Sequence, residues 1–353
     1  MIQLLLTALL AASLGPVGSE PAREPQLAAH GSEVVLAFGA GNSIYFSASH
    51  DSGRTFSAPV KVAQAGILPL TRHRGPRIVF SGAAILISAV GGRKPSTGAH
   101  SHSLPSDGDL LIWRSLDDGK TWSAGALIND VQGAPTEGLH ALASNGTGRV
   151  FAAWLDKRSG KGTQLYGARS TDGGLTWSKN FVIYQSPEGT ICECCHPSVA
   201  LDSNGQPLVM WRNWLAGSRD LYLLQSRDGF TFDQPEKLGT GTWKLNACPM
   251  DGGALAVSEG RALTSWRRGE TIFLDEPGKP ETAIGAGKDV ALVLNGRAIY
   301  AIWTAPRGIV LWKNGQTEPL ASGGAFPAIT ASSDAAIAAW EQDGTIRTQR
   351  LQK

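Results

Sequence analysis

The chain has 353 residues, a formal net charge of +2, 42% hydrophobic residues, 43 Gly, 19 Pro and 11 Trp. That balance excludes a disordered chain, a collagen-like repeat and a strongly basic nucleic-acid binder. Glycine above the usual ~7%, with short Val/Ile/Ala/Trp runs between Gly/Asp/Ser/Asn clusters, favours turn-rich β-structure over helix.

At the N-terminus, the apolar run Leu4 to Leu14 leads into Gly15-Pro16 and the small residues Val17-Gly18-Ser19. It reads as a secretory signal peptide over residues 1–19, too short to span a bilayer, although Met1-Ile2-Gln3 lacks the usual Lys or Arg. The alternative is a buried N-terminal strand. No other stretch approaches the roughly 18 apolar residues of a spanning helix. The expectation is a single domain over residues 20–353, periplasmic or extracellular, where disulfides are permitted.

One box then recurs four times: Ser49-His50-Asp51-Ser52-Gly53-Arg54-Thr55-Phe56, Ser115 to Trp122, Ser170 to Trp177, and the shorter Ser226 to Phe232. Their starts are 66, 55 and 56 residues apart. Its chemistry is that of a turn: Asp and Ser side chains bond nearby N–H groups and Gly supplies φ > 0. No catalytic role follows from it. Around the boxes an apolar run is followed by a second run that often ends in Trp. The second runs are Val35 to Phe38, Ile85 to Val90, Val150 to Trp154, Pro207 to Trp211, Ala262 to Trp266, Ala298 to Trp303 and Ala336 to Trp340. Seven units of four strands predict an all-β propeller whose first strands line a central channel. Trp154, Trp211, Trp266, Trp303 and Trp340 fit inter-blade packing better than a sugar-stacking platform.

The boxes and the residues around them resemble the sialidase (neuraminidase) superfamily, a six-bladed fold, over roughly residues 72–351. Arg77-Ile78, followed by Val79 in place of proline, is similar to the family's opening Arg-Ile-Pro. Asn246-Ala247-Cys248-Pro249-Met250 stands at an Asn-Glu-Pro-like stretch, and Leu263 to Arg267 and Ala305-Pro306-Arg307 stand where two further arginines lie. Ala325-Phe326-Pro327-Ala328-Ile329, followed by Ala338-Ala339-Trp340-Glu341, resembles the closing tyrosine segment. Residues 26–64 form an extra unit, giving seven.

The resemblance implies a charge-assisted clamp of Arg77, Arg267 and Arg307 on a substrate carboxylate. It also implies an aspartic acid/base in the long loop Lys94 to Asp109, at Asp107 or Asp109, either of which equally reads as a solvated loop residue. The nucleophile pair is absent: Phe326 stands at the tyrosine and Ala247 at its glutamate. Loss of a nucleophile removes most of the acceleration of a catalytic unit. Glu137 or Asp251 is the carboxylate left to act as base in an altered mechanism. Arg72, Arg74, Arg212, Arg219 and Arg268 add to a pattern of strand-end arginines that suits an anion.

All four cysteines fall in Cys192-Glu193-Cys194-Cys195-His196 and Cys248-Pro249-Met250-Asp251, each just ahead of a first strand in adjacent units. An even count in an exported chain reads as disulfides, for example a bridge from the Cys192–Cys195 segment to Cys248 stapling two blades. Cys192, Cys194, Cys195, His196, Cys248 and Met250 together also suit copper(I) or zinc. His140 and His196 alone read as satisfied histidines. His100 and His102 form a weak His-x-His signal.

Two function classes follow. One is an exported sialidase-like protein, expected as a monomer, that recognises a small acidic carbohydrate or other anionic ligand and needs no cofactor, with hydrolysis by a changed mechanism or binding alone. The other is a metal-handling or redox propeller centred on the cysteines.

Overall fold

The computed structural model describes residues 12–97, 104–276 and 278–352. His100 and His102 lie outside the described residues. No helix among the described residues is long and apolar enough to cross a membrane.

Seven antiparallel four-stranded sheets, each in sequential order, form a seven-bladed β-propeller. The unit over residues 26–64 is a full blade, with strands Ala22–His30, Glu33–Ala40, Ser43–Ser49 and Val60–Gln64. The first strands of blades 2 to 7 are Arg77–Ser81, His140–Ser144, Ser198–Leu201, Gly253–Ser258, Lys288–Asn295 and Ala325–Ala331. Each first strand packs against those of its neighbours, and the ring closes between blades 7 and 1. Every second run read from the sequence is a second strand.

Blade 7 takes three strands from the C-terminus and its outer strand from the N-terminus, where Ala12–Leu14 pairs with Thr345–Gln352 in the register Ala12↔Thr348 and Leu14↔Ile346. Residues 12–14 belong to the segment read as a leader, so cleavage at Ser19 would leave this blade with three strands.

The second strands carry the core because they are covered on both faces, as their nearly unbroken burial shows. Trp154, Trp211, Trp266, Trp303 and Trp340 are all at most 2% exposed and pack between adjacent blades. The boxes are turns between third and fourth strands. In the third box, Asp172 accepts from the Ser170 hydroxyl at 2.7 Å and from the N–H groups of Leu175 and Thr176 at 3.1 and 2.9 Å. Ser170 Oγ in turn accepts the Gly174 N–H at 2.9 Å. Hydrogen bonds from Thr176 outweigh burial and hold the Asp172 carboxyl down at about 2.

Candidate functional site

First strands begin at one face of the ring, and the residues that deliver the chain into them surround the channel mouth. Leu27, Leu142, Val199, Leu255, Leu292 and Ile329 line a channel cavity of about 200 Å³, and His73, Arg77 and His196 line it too. Three first strands enter through a register shift, between Arg23 and Gln26, Lys288 and Ala291, and Ala325 and Ala328. Within these bulges Glu24, Asp289 and Phe326 adopt φ of 53°, 59° and 50°, and ahead of two other first strands His73 and Met250 adopt 66° and 57°. Left-handed backbone costs a non-glycine residue about 1–2 kcal/mol, and such strain gathers at functional sites.

The side chains so placed form one network across five blades. His73 Nε2 lies 2.9 Å from Asp289 Oδ1, and the His73 N–H donates to Glu24 Oε1 at 3.1 Å. The Glu24 N–H donates to Glu341 Oε1 at 2.6 Å. The Asp289 N–H donates to Asp251 Oδ2 at 3.3 Å, and that oxygen pairs with Arg267 Nε at 2.9 Å. The His73 ring lies 4.2 Å from the His196 ring and 5.5 Å from that of Phe326. Arg77 donates to the carbonyls of His73 and Pro76 at 2.5 and 3.0 Å. His196 Nδ1 accepts the Gly252 N–H at 3.3 Å, an approach that needs glycine because a Cβ there would collide with the His196 carbonyl oxygen.

Burial and proximity set the charges. Burial pushes Glu24 up to about 8 and raises Glu341, while burial and then Asp289 raise Asp251. Burial alone would lower His73, but the hydrogen bond and charge of Asp289 outweigh it and raise the imidazole above its ordinary value. The same contact outweighs burial at Asp289 and lowers its carboxyl. Burial, with His73 and Arg77 beside it, holds His196 well below the ordinary range and therefore neutral. Burial lowers Arg77 to about 10. The mouth thus sets an imidazole whose affinity for a proton is raised against one whose affinity is lowered, next to a guanidinium, which is an arrangement for acid–base chemistry. Ligand atoms of His73, Asp251 and Asp289 also lie within 4.8 Å of one another, a spacing that could hold a cation.

The predicted residues divide between this mouth and other places. Arg77, Arg267, Asp251 and His196 lie in it, and Phe326 faces His73. Arg307 is exposed on the turn between Ala298–Ala305 and Gly308–Lys313, and its side chain makes no polar contact among the described residues. Asp107 and Asp109 line a separate hollow of about 570 Å³ with Arg93 and Lys94. Asp107 Oδ1 accepts the N–H groups of Arg93 and Lys94 at 2.9 and 2.8 Å, and these bonds, the one from Lys94 foremost, lower its carboxyl. Asp109 Oδ1 accepts from Asn129 and Gly133 at 2.7 and 2.8 Å. Glu137 holds Arg74 at 3.4 Å and Lys157 at 2.5 Å. His140 is buried, bonded to Ser88 at 2.9 Å, and kept down at about 3 by burial.

The sulfur atoms separate likewise. Cys192, Cys194 and Cys195 are buried together with free thiols, whereas Cys248 is exposed. A staple from the first segment to Cys248 is therefore not formed. Cys192 Sγ lies 3.2 Å from Cys195 Sγ and 3.7 Å from Cys194 Sγ, and Arg219 donates to it at 3.1 Å. Hydrogen bonds from the two neighbouring thiols, then the charges of Arg212 and Arg219, hold Cys192 well below the ordinary thiol range; Cys194 is raised foremost by its bond to Cys192, and Cys195 foremost by burial.

Glu24, His73, Asp289 and Glu341 were not singled out from sequence. A signal was there: Glu24-Pro25-Gln26-Leu27, Asp289-Val290-Ala291-Leu292 and Phe326-Pro327-Ala328-Ile329 are the same bulged strand entry in three blades. Aligning them places two carboxylates at the position of Phe326.

Comparisons with known proteins agree with this architecture. Residues 105–264 match the BNR repeat-like domain family. No curated protein matches the chain by sequence. Among solved structures, the Penicillium chrysogenum α-L-arabinanase complexed with arabinobiose superposes with a TM-score of 0.54 at 11% identity, covering 97% of this chain and 98% of that one. A polysaccharide lyase of the ulvan lyase type gives 0.58 at 12%, covering 97% and 96%. The leech intramolecular trans-sialidase gives 0.57 at 10%, covering 97% and 70%. At these identities the likeness is one of fold, and the fold is the sialidase-like β-propeller with BNR repeats.

Proposed function

We propose that this chain is an exported carbohydrate-active propeller that binds an acidic sugar at the channel mouth and acts on it by acid–base chemistry rather than through a tyrosine nucleophile. The observation that carries the reading is the His73–Asp289 pair, 2.9 Å apart, beside Arg77 and His196 at the channel cavity. Arg77 and Arg267 offer positive charge to a carboxylate. His73 gives or takes a proton, with Asp289 fixing its ring. Asp251 is the carboxylate of the altered mechanism closest to this pair, and Glu137, tied to Arg74 and Lys157, supports the rim.

Purified protein offered sialyllactose, a glucuronate-containing polysaccharide and neutral arabinan is expected to bind and cleave an acidic member. Cleavage is read as reducing ends or as absorbance of an unsaturated product. His73→Gln is expected to lower kcat by about 10²–10⁴-fold with binding retained, and Arg77→Gln to weaken binding of acidic ligands only. Preference for arabinan, or failure to bind any acidic saccharide, overturns the reading. Export is part of the proposal, supported by the apolar run Leu4 to Leu14. N-terminal sequencing of the mature protein decides whether residues 12–14 remain in blade 7 or leave with a leader.

A further inference from the structure

None of the sulfur atoms lines the channel cavity or joins the carboxylate network. Cys192, Cys194 and Cys195 occupy the turn between blades 3 and 4, at 0%, 6% and 1% exposure, and Met250 from the next inter-blade segment packs against them. Their Sγ atoms lie within 4.8 Å of one another, with two separations of 3.2 and 3.7 Å. Metal–sulfur bonds of about 2.3 Å place sulfurs sharing one ion roughly 3.8–4.0 Å apart, so small side-chain shifts make all three ligands of one ion.

The donors are soft throughout. The imidazole of His196, next in sequence, lies against His73 and accepts the Gly252 N–H, so it belongs to the channel network. Zinc prefers four Cys or His ligands, or three with a bound water, and thioether is a poor substitute for either. Thiolate with thioether selects Cu(I). Charge agrees: three thiolates and Cu(I) sum to −2, which two arginines offset. Arg219 Nη1 is 3.1 Å from Cys192 Sγ. Arg212, 1% exposed, donates to the Arg219 carbonyl at 2.6 Å and accepts the Cys192 N–H on its own carbonyl at 3.2 Å.

We propose that Cys192, Cys194 and Cys195 form a three-coordinate Cu(I) site capped by the thioether of Met250, with Cys248 and His196 outside the ligand set. The site goes beyond the carbohydrate reading and stands without it, because none of its ligands lines the channel cavity.

The test loads fully reduced full-length protein with Cu(I) under anaerobic conditions against bicinchoninate as competitor. One Cu(I) per chain is expected, with a sulfur-to-copper charge-transfer band and a raised Tm, since a ligand held only by the folded state stabilises it. Cys194→Ser and Cys195→Ser are expected to lose at least roughly 100-fold in affinity, more than the 10–100-fold typical of outer-shell changes. Met250→Leu is expected to lose roughly tenfold, and Cys248→Ser to bind like wild type. X-ray absorption of the loaded wild type, which needs no variant to fold, is expected to show sulfur neighbours alone. Failure to retain Cu(I) against the competitor, nitrogen or oxygen neighbours, dependence on Cys248, displacement by equimolar Zn²⁺, or unchanged affinity in a folded Cys195→Ser protein each overturns the assignment.

Discussion

Replacing Glu24 by glutamine isolates the cost of burying a carboxyl at the channel mouth. Glu24 is 2% exposed and accepts the His73 N–H at 3.1 Å, a bond that a glutamine oxygen can also accept. Burial pushes its pKa from 4.5 to about 8, with Glu341 adding to the rise and His73 and Arg77 opposing it. Between those values the unfolded chain has released this proton while the folded protein retains it. The folded state binds more protons, so stability falls as pH rises from 4.5 through about 8 and then levels off. At about 1.4 kcal/mol per pKa unit, the full penalty is about 5 kcal/mol. An uncharged amide at this position carries no such penalty. Glu24→Gln is therefore expected to match wild type near pH 4.5 and to exceed it by several kcal/mol at pH 9. Urea unfolding at pH 5, 7 and 9 with a common slope checks this. A difference between the two proteins that stays constant across the three pH values would refute the reasoning, because it would mean that Glu24 does not change its proton occupancy on folding in this range.

Three further outcomes follow from the same geometry. Asp289→Asn removes the negative charge that helps to raise His73, so the alkaline limb of an activity profile that requires protonated His73 is expected to move to lower pH, and an unmoved limb would exclude His73 as the titrating acid. Asp172→Ala strips the acceptor of four box hydrogen bonds and is expected to cost about 1–2 kcal/mol in urea unfolding, leaving ligand binding at the opposite face unchanged. Phe326→Tyr restores a phenol 5.5 Å from His73 but no base, because Ala247 sits on an exposed segment. A fluorogenic sialoside is therefore expected to remain uncleaved, and turnover by that single variant would show that the missing glutamate is dispensable.

The ring was legible because a propeller writes its period into the chain. The box turns and the Trp-ended second strands are local features, and each maps onto its blade. The mouth was only half legible. Arg77 and Arg267 stand near strand ends in a pattern that resembles a known superfamily, whereas Asp251 was readable only as one of two carboxylates left for an altered mechanism. Asp289 and Glu24 were not, because their side chains reach the mouth through a one-residue bulge that reverses the direction a regular strand would give them. His73 is masked in the sequence by the charges of Arg72 and Arg74 on either side, although its own left-handed backbone turns it inward. Arg307 fails to join for the opposite reason: likeness of sequence fixes a position along the chain, but a tight turn between second and third strands leaves that side chain in solvent. With the cysteines, spacing puts three residues in one turn, and which neighbour packs against them depends on how two blades meet. That packing brings in Met250 and leaves Cys248 outside.

Arg212 explains why the sulfur turn and the carboxylate network coexist so close together. It ends the second strand of blade 4 and is nearly fully buried, donating to the carbonyls of Asp251 at 3.0 Å, Arg219 at 2.6 Å and Arg267 at 3.1 Å. A buried guanidinium is tolerated only when its donors are satisfied, and here the acceptors are backbone oxygens from two blades. Its bonds therefore fix the Asp251 segment, which carries Met250 to the thiols on one side and the Arg267 partner to the mouth on the other. Trp243 covers both Arg212 and Arg267, with each guanidinium carbon 5.2 Å from its ring. The segments that carry Asp251, Arg219 and Arg267 thus share one guanidinium through their main-chain carbonyls. An anion at the mouth and a cation among the sulfurs would act on opposite ends of a single buried positive charge.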